Sequence, residues 1–218
     1  DGSLTWLSPR LNDGFEHYAD FNINFGNYTQ RDIDGKDTYG VANFNWPSIY
    51  YTGAFMVFNP SQTSPPLTTG WEPYSGRKYL TCWAATPPLN PNNDWLITPK
   101  IKVSAGESFS FYAKAYSATY PEWFKVGVST TGTQPENFTI ISSNPYVVAT
   151  TIWTKYTYSL VSYAGQEVYL AINCVSNDAF VLMIDELKIE GGPAAGPESI
   201  IPEVSEIAEE FTPLAKEK

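Results

Sequence analysis

Cysteine and histidine are almost missing from this sequence, with Cys82, Cys174 and His17 the whole complement. Two cysteines are too few for a disulfide scaffold, and no Cys-x-x-Cys or Cys/His cluster offers zinc its ligands. Two buried apolar thiols are expected, with a single bridge as the alternative. A lone histidine leaves no Ser-His-Asp triad or multi-histidine metal site, so His17 is expected to be structural. No Gly-x-Ser-x-Gly elbow, Walker loop, dinucleotide-binding fingerprint or His-Glu-x-x-His occurs either.

Basic residues are scarce as well: 13 Lys and Arg stand against 23 Asp and Glu, for a net charge of −10. Such a chain repels phosphate backbones, and no basic stripe with interleaved aromatics compensates, so nucleic acid is not an expected partner. No apolar run approaches the roughly 18 residues of a membrane span, and none is expected. The start at Asp1-Gly2-Ser3 reads as a processed or trimmed chain, compatible with a removed export signal.

What is abundant is aromatic: 15 Tyr, 12 Phe and 7 Trp, together with 15 Gly and 17 Pro in 218 residues. That mixture suits many short strands joined by turns, and the length suits one all-β domain. Period-two alternation is clear in Phe109, Phe111, Ala113 and Ala115, and again in Phe124, Val126 and Val128. Further strands are expected over residues 54–58, 78–85, 138–141, 153–160 and 168–174. With no convincing helix between strands, the pattern predicts an antiparallel sandwich and not a parallel α/β sheet. It would occupy residues 13–191, after a lead segment (1–12) and before an acidic Pro/Glu-rich tail (192–218) that forms a linker or a short amphipathic helix.

Two stretches carry more than a fold class. In Asn93–Val103 an acid precedes an alternating run, Trp95, Ile97, Ile101 and Val103, which Pro99 interrupts; the proline predicts an edge strand or a bulge. In the last strand, Phe180, Leu182 and Ile184 share one face while Leu187 and Ile189 fall in the opposite phase. The alternation slips at Asp185-Glu186, and a bulge there would re-aim carboxylates.

Carboxylates are the only chemistry in quantity. Asp32-Ile33-Asp34-Gly35-Lys36-Asp37 places acids at nearly alternate positions around a glycine, a spacing that can converge oxygens on a calcium ion. Ordinary turn chemistry is the competing explanation. Glu16 and the bulged Asp185 are further candidates if the first and last strands meet, and Asp94 is another. Paired acids for glycoside hydrolysis would have to come from Asp185, Glu186 and Glu190, but nothing singles out two of them. Loop aromatics Trp46, Tyr50, Tyr51, Trp71 and Tyr74 would either stack on sugar rings or fill the sandwich and its rim. Trp46, Tyr50, Trp71 and Tyr74 are the candidate ligand contacts.

Several segments together resemble the cleaved-adhesin, or choice-of-anchor J, domains of Bacteroidetes surface proteins. They are Gly14-Phe15-Glu16, Arg31–Gly35, Tyr74-Ser75-Gly76, Asn93–Pro99, Phe124–Thr131, Tyr163–Gln166 with Tyr169–Ile172, and Asn177-Asp178 leading to Ile184–Ile189. The resemblance implies a galactose-binding-like jelly roll that is non-catalytic and secreted or held on the outer cell surface. It also implies structural calcium near the N-terminal loops and final strand, on Glu16, Asp32, Asp34 and Asp185, with Asp94 in addition. Two departures are a longer loop between Trp46 and Trp71 and a Glu after Asp185 where a second Asp is common. The functional expectation is a calcium-stabilised adhesion module within a larger surface protein, taking a host or environmental glycan or protein as its partner. A structural spacer is the alternative, and a carbohydrate-active enzyme the less favoured one.

Overall fold

The computed structural model describes residues 10–87 and 91–192. The expected C-terminal linker or helix, and most of the lead segment, lie outside the described residues. Thirteen strands follow in order: β1 (Asn12–Asp13), β2 (Thr29–Asp32), β3 (Phe55–Phe58), β4 (Tyr79–Trp83), β5 (Asp94–Ile97), β6 (Ile101–Lys102), β7 (Glu107–Ala115), β8 (Trp123–Ser129), β9 (Thr139–Ile140), β10 (Val147–Val148), β11 (Thr154–Ser159), β12 (Glu167–Cys174) and β13 (Val181–Gly191). Among the described residues there is no α-helix, only three short 3-10 turns, and no helix long and apolar enough to cross a membrane.

The strands form two antiparallel sheets facing each other as a jelly-roll sandwich. One runs β11-β7-β13-β4-β3 with β1 beside β13; the other runs β10-β8-β12-β5-β2, with β6 beside β12 and β9 beside β8. Alternation decides what lies between them. Phe109, Phe111, Ala113 and Ala115 of β7 meet Phe124, Val126 and Val128 of β8 and Val168, Leu170 and Ile172 of β12 in one apolar core.

Asp185-Glu186 is the expected bulge. The pairing of β13 with β7 shifts between Asp185 and Lys188, and Glu186 takes φ 55° to absorb the extra residue. Ile184 and Leu187 therefore both point into the core and are fully buried, although their spacing is odd. Pro99 falls in the gap between β5 and β6, which pair separately with the two ends of β12. The edge-strand expectation holds for one half of the run: β5 lies inside the sheet between β12 and β2, whereas β6 after the proline pairs with β12 alone.

The sheet containing β3, β4 and β13 is buried on both faces. Met56, Phe58, Tyr79, Trp83, Val181 and Met183 point away from the inter-sheet core into a second apolar layer. Residues of the long segment between β2 and β4 cover them, among them Trp46, Tyr51, Leu67 and Trp71. Phe55-Met-Val-Phe58 and Tyr79-Leu-Thr-Cys-Trp83 carry the signature of this arrangement, since a strand covered on both sides has no polar face to alternate.

The chain enters and leaves this sandwich side by side. Ile189 N–H donates to Leu11 O at 2.9 Å, Gly192 N–H donates to Gly106 O at 3.2 Å, and Arg10 forms an ion pair with the buried Glu107.

Candidate functional site

Antiparallel pairing of β2 with β5 sets Asp32 opposite Asp94. Asp34, two residues on, turns back toward the same point because its Oδ2 accepts from Asn93 N–H at 2.7 Å. One carboxylate oxygen from each of Asp32, Asp34 and Asp94 lies within 4.8 Å of the others. The turn is held from within, Asp32 Oδ1 accepting from Gly35 N–H at 2.6 Å and Asp34 Oδ1 from Lys36 N–H at 3.1 Å. Gly35 supplies the positive φ of 63° that lets the chain reverse there.

Asp94 is the unusual member. It is 2% exposed, and Oδ2 accepts from Asn92 Nδ2 at 2.8 Å and from the Cys82 thiol at 3.5 Å. Its Oδ1 is buried without any hydrogen-bond partner. Burial, with the nearby Asp34 and Asp32 charges, holds its carboxyl well above the usual carboxylate range. Burial and Asp34 also raise Asp32. Among the described residues, no ion pair involves any of the three. Three converging acids, one desolvated and with an orphaned oxygen, fit a hard divalent cation such as calcium, which takes oxygen ligands and would offset the repulsion.

Glu16 and Asp185 do not join this group. Asp185 sits fully buried in the bulge, with Oδ2 accepting from Ser75 N–H at 3.0 Å and Oδ1 from Glu186 N–H at 2.8 Å. Burial foremost, and then Glu186 and Glu16, push its carboxyl up to about 7. Glu16 Oε1 accepts from the N–H groups of Arg77 and Lys78 at 2.7 and 2.8 Å. The acids expected to act together thus occupy two places, and in the second, backbone amides already engage both Asp185 oxygens. The thiols also have their place: Cys82 and Cys174 are free and buried, on facing strands of the two sheets.

The four candidate ligand aromatics divide as well. Tyr50 is 56% and Tyr74 45% exposed, and Tyr74 stacks on Tyr112 with ring centroids 3.5 Å apart. Trp46 and Trp71 are corrected: they are 5% and 3% exposed and stack on Trp83 at 5.2 and 5.7 Å. They cover the outward faces of β3 and β4, which would otherwise leave Phe58 and Trp83 in water. Tyr51, also grouped with the exposed loop aromatics, is buried in the same layer. The non-alternating runs of β3 and β4 were the available signal for this cover.

A cleft that sequence reasoning missed lies where three loops meet. Tyr39, Tyr116, Ser117, Tyr120, Asp178 and Phe180 line a cavity of about 490 Å³. Tyr116 packs on Trp71 at 4.6 Å and on Phe180 at 5.5 Å, yet both Tyr116 (39%) and Tyr120 (49%) present surface to solvent.

Comparison with known proteins agrees with this architecture. The K2 cleaved adhesin domain of Lys-gingipain superposes with a TM-score of 0.61 at 15% identity, over 83% of this chain and 99% of that one. The K1 domain of Lys-gingipain from Porphyromonas gingivalis W83 gives a TM-score of 0.57 at 21% identity, over 85% and 100%. In sequence, Hemagglutinin A of Porphyromonas gingivalis is 26% identical over 214 residues, which cover 87% of this chain and 9% of that much longer relative. The profile of the Cleaved Adhesin Domain matches residues 68–189, from the loop before β4 into the closing strand, and the chain belongs to that family.

Proposed function

We propose that this domain is a non-catalytic recognition module of a longer bacterial surface protein, stabilised by a calcium ion and binding a host or environmental glycan or protein. The observation that carries the ion is the unpartnered, buried Oδ1 of Asp94 beside Asp32 and Asp34. Asp32, Asp34 and Asp94 would hold calcium, which would supply charge neutralisation and cross-link the Asp32–Asp37 turn to β5. An ion that binds only the folded chain adds stability by mass action. Membership of an adhesin family supports the recognition role, and homology to a segment of a haemagglutinin supports a place in a larger surface protein. Asp185, with its oxygens on backbone amides, serves to tie the Tyr74–Lys78 loop to the bulge, and Glu16 ties the same loop to the turn after β1.

The test is calcium titration calorimetry on the chelator-treated chain, read beside its retention on immobilised glycans and host matrix proteins. One calcium per chain and retention on at least one surface are expected. Absence of calcium binding would remove the ion, and absence of retention on every surface would leave the spacer reading in its place.

A further inference from the structure

The cleft beneath Tyr116 and Tyr120 has the make-up of a sugar site. We propose that it binds a neutral oligosaccharide, with Tyr120 and Tyr116 stacking on pyranose rings and Asp178 accepting hydrogen bonds from sugar hydroxyls. This deepens the recognition role above and rests on it, naming the place and the ligand class. A pyranose presents a flat C–H face that is apolar and slightly positive, matching the negative face of an aromatic ring. Tyrosine offers that face at a low entropic cost, because two torsions fix it. A carboxylate is the strong acceptor that hydroxyl donors seek.

The walls are held in place before any ligand arrives. Phe180 N–H donates to Glu122 Oε1 at 2.7 Å, and Phe180 O accepts from Ala84 N–H at 2.9 Å. Tyr39 N–H donates to the Ala84 carbonyl, also at 2.9 Å. Tyr116 is seated between Trp71 and Phe180, and the amides of Thr119 and Tyr120 reach the Ser117 hydroxyl at 3.2 and 3.4 Å. Asp178 holds its place in the loop at φ 51°. Such preorganisation lowers the entropy lost on binding. The volume lies within the range of small-molecule sites, about 300–1,000 Å³. A second hollow of about 320 Å³ shares Tyr116 and Phe180 and runs on past Phe44 and Thr68, so the surface accommodates a chain of sugars.

Charge selects the ligand further. Among the described residues, Asp178 is the one charged side chain in the lining, and no Lys or Arg is there to pair with a sialic acid, uronic acid or sulfate. A negative cleft on a chain of net charge −10 disfavours acidic glycans and favours neutral ones. An extended peptide would need backbone partners along its length, whereas this cleft offers mainly rings and a carboxylate.

The experiment measures calcium-loaded wild type, Tyr120→Ala and Asp178→Asn by calorimetry against neutral oligosaccharides ending in galactose, glucose or mannose, with sialylated counterparts as controls. Tyr120 is half exposed, so its loss spares the core. Asn tolerates the left-handed backbone at 178, so the second variant changes charge alone. Binding of at least one neutral sugar is expected, weakened about tenfold or more by Tyr120→Ala and also weakened by Asp178→Asn, with melting temperatures unchanged. Neutral binding that neither variant alters, or preference for the sialylated forms, would overturn the proposal. So would the absence of any neutral binding; a calcium-dependent rise in melting temperature and retention on a protein surface would then leave the broader recognition role standing.

Discussion

Replacing Asp94 by Asn separates the two opposing ways in which a buried carboxylate acts on this fold. The side chain keeps its shape and an acceptor for Asn92, but it loses the charge that faces Asp32 and Asp34. Without a cation, folding the wild type must either bury the Asp94 charge beside two others or take up a proton, because burial and those neighbours raise its carboxyl well above the usual range. A raised carboxylate contributes stability only at low pH, and that contribution is lost as pH rises from the unfolded value through the folded one. At neutral pH in chelator, Asp94→Asn is therefore expected to stabilise, raising the melting temperature above that of the wild type. With calcium the sign reverses. At a hundredfold excess over its dissociation constant, the ion adds about 2.7 kcal/mol to the wild type. For a chain of this size that is a rise of about 5–10 °C, and the variant loses most of it. Melting followed by tryptophan fluorescence in EDTA and in calcium should show the two curves changing order. Equal calcium shifts in both proteins would refute the triad and direct attention to Glu16 and Asp185. A variant less stable in EDTA would refute the electrostatic reasoning.

Glu122 gives a second pH test: its Oε2 is buried without a partner, and burial pushes its carboxyl up to about 7. The cost of its ionisation grows as pH rises from about 4.5 to 7, so Glu122→Gln should flatten the fall in melting temperature over that window; an unchanged pH profile would count against it. Phe58→Ala empties the centre of the outer aromatic layer, where the ring meets Trp46, Trp71, Tyr79 and Trp83. A loss of about 3–5 kcal/mol in urea unfolding is expected, and less than about 1 kcal/mol would show that the layer collapses around the gap. Cys82 and Cys174 should stay silent to a thiol reagent in native buffer and react fully in denaturant, since both are buried and the Cys82 thiol is raised by burial; rapid native labelling would argue that the sandwich opens.

Much of the fold was legible because strands write their faces into the sequence. The slip between Ile184 and Leu187 placed the bulge to the residue, since a period of two leaves nowhere else for an extra residue to go. Strands β7, β8 and β12 were legible for the same reason. The buried tryptophans were not, because Trp46 and Trp71 lie in a segment whose Pro, Ser and Thr read as exposed loop; only Phe58 and Trp83 across from them reveal that something must cover that face. The acidic site was half legible: the Asp32–Asp37 spacing marked the turn, but which acids converge depends on the β2–β5 register, which brings in Asp94 and leaves out Asp185. The cleft draws Tyr39, Tyr116 and Asp178 from three distant loops, and no local pattern links them.

The neighbouring entry and exit points at Arg10 and Gly192 have a mechanical consequence. Both lie by the start of β7, whereas Tyr116, Tyr120 and Asp178 cluster beyond its far end, where β13 begins. Nine residues of extended strand, about 30 Å, therefore separate these two points from the cleft, and a ligand bound there as proposed would be held out from the chain on either side of the sandwich. Pull between Arg10 and Gly192 would load the Arg10–Glu107 ion pair and the Gly192–Gly106 and Ile189–Leu11 hydrogen bonds first, and then the two-residue ladder of β1 against β13. Those rungs would open one at a time, and the chain would lengthen there while the far pole stayed folded.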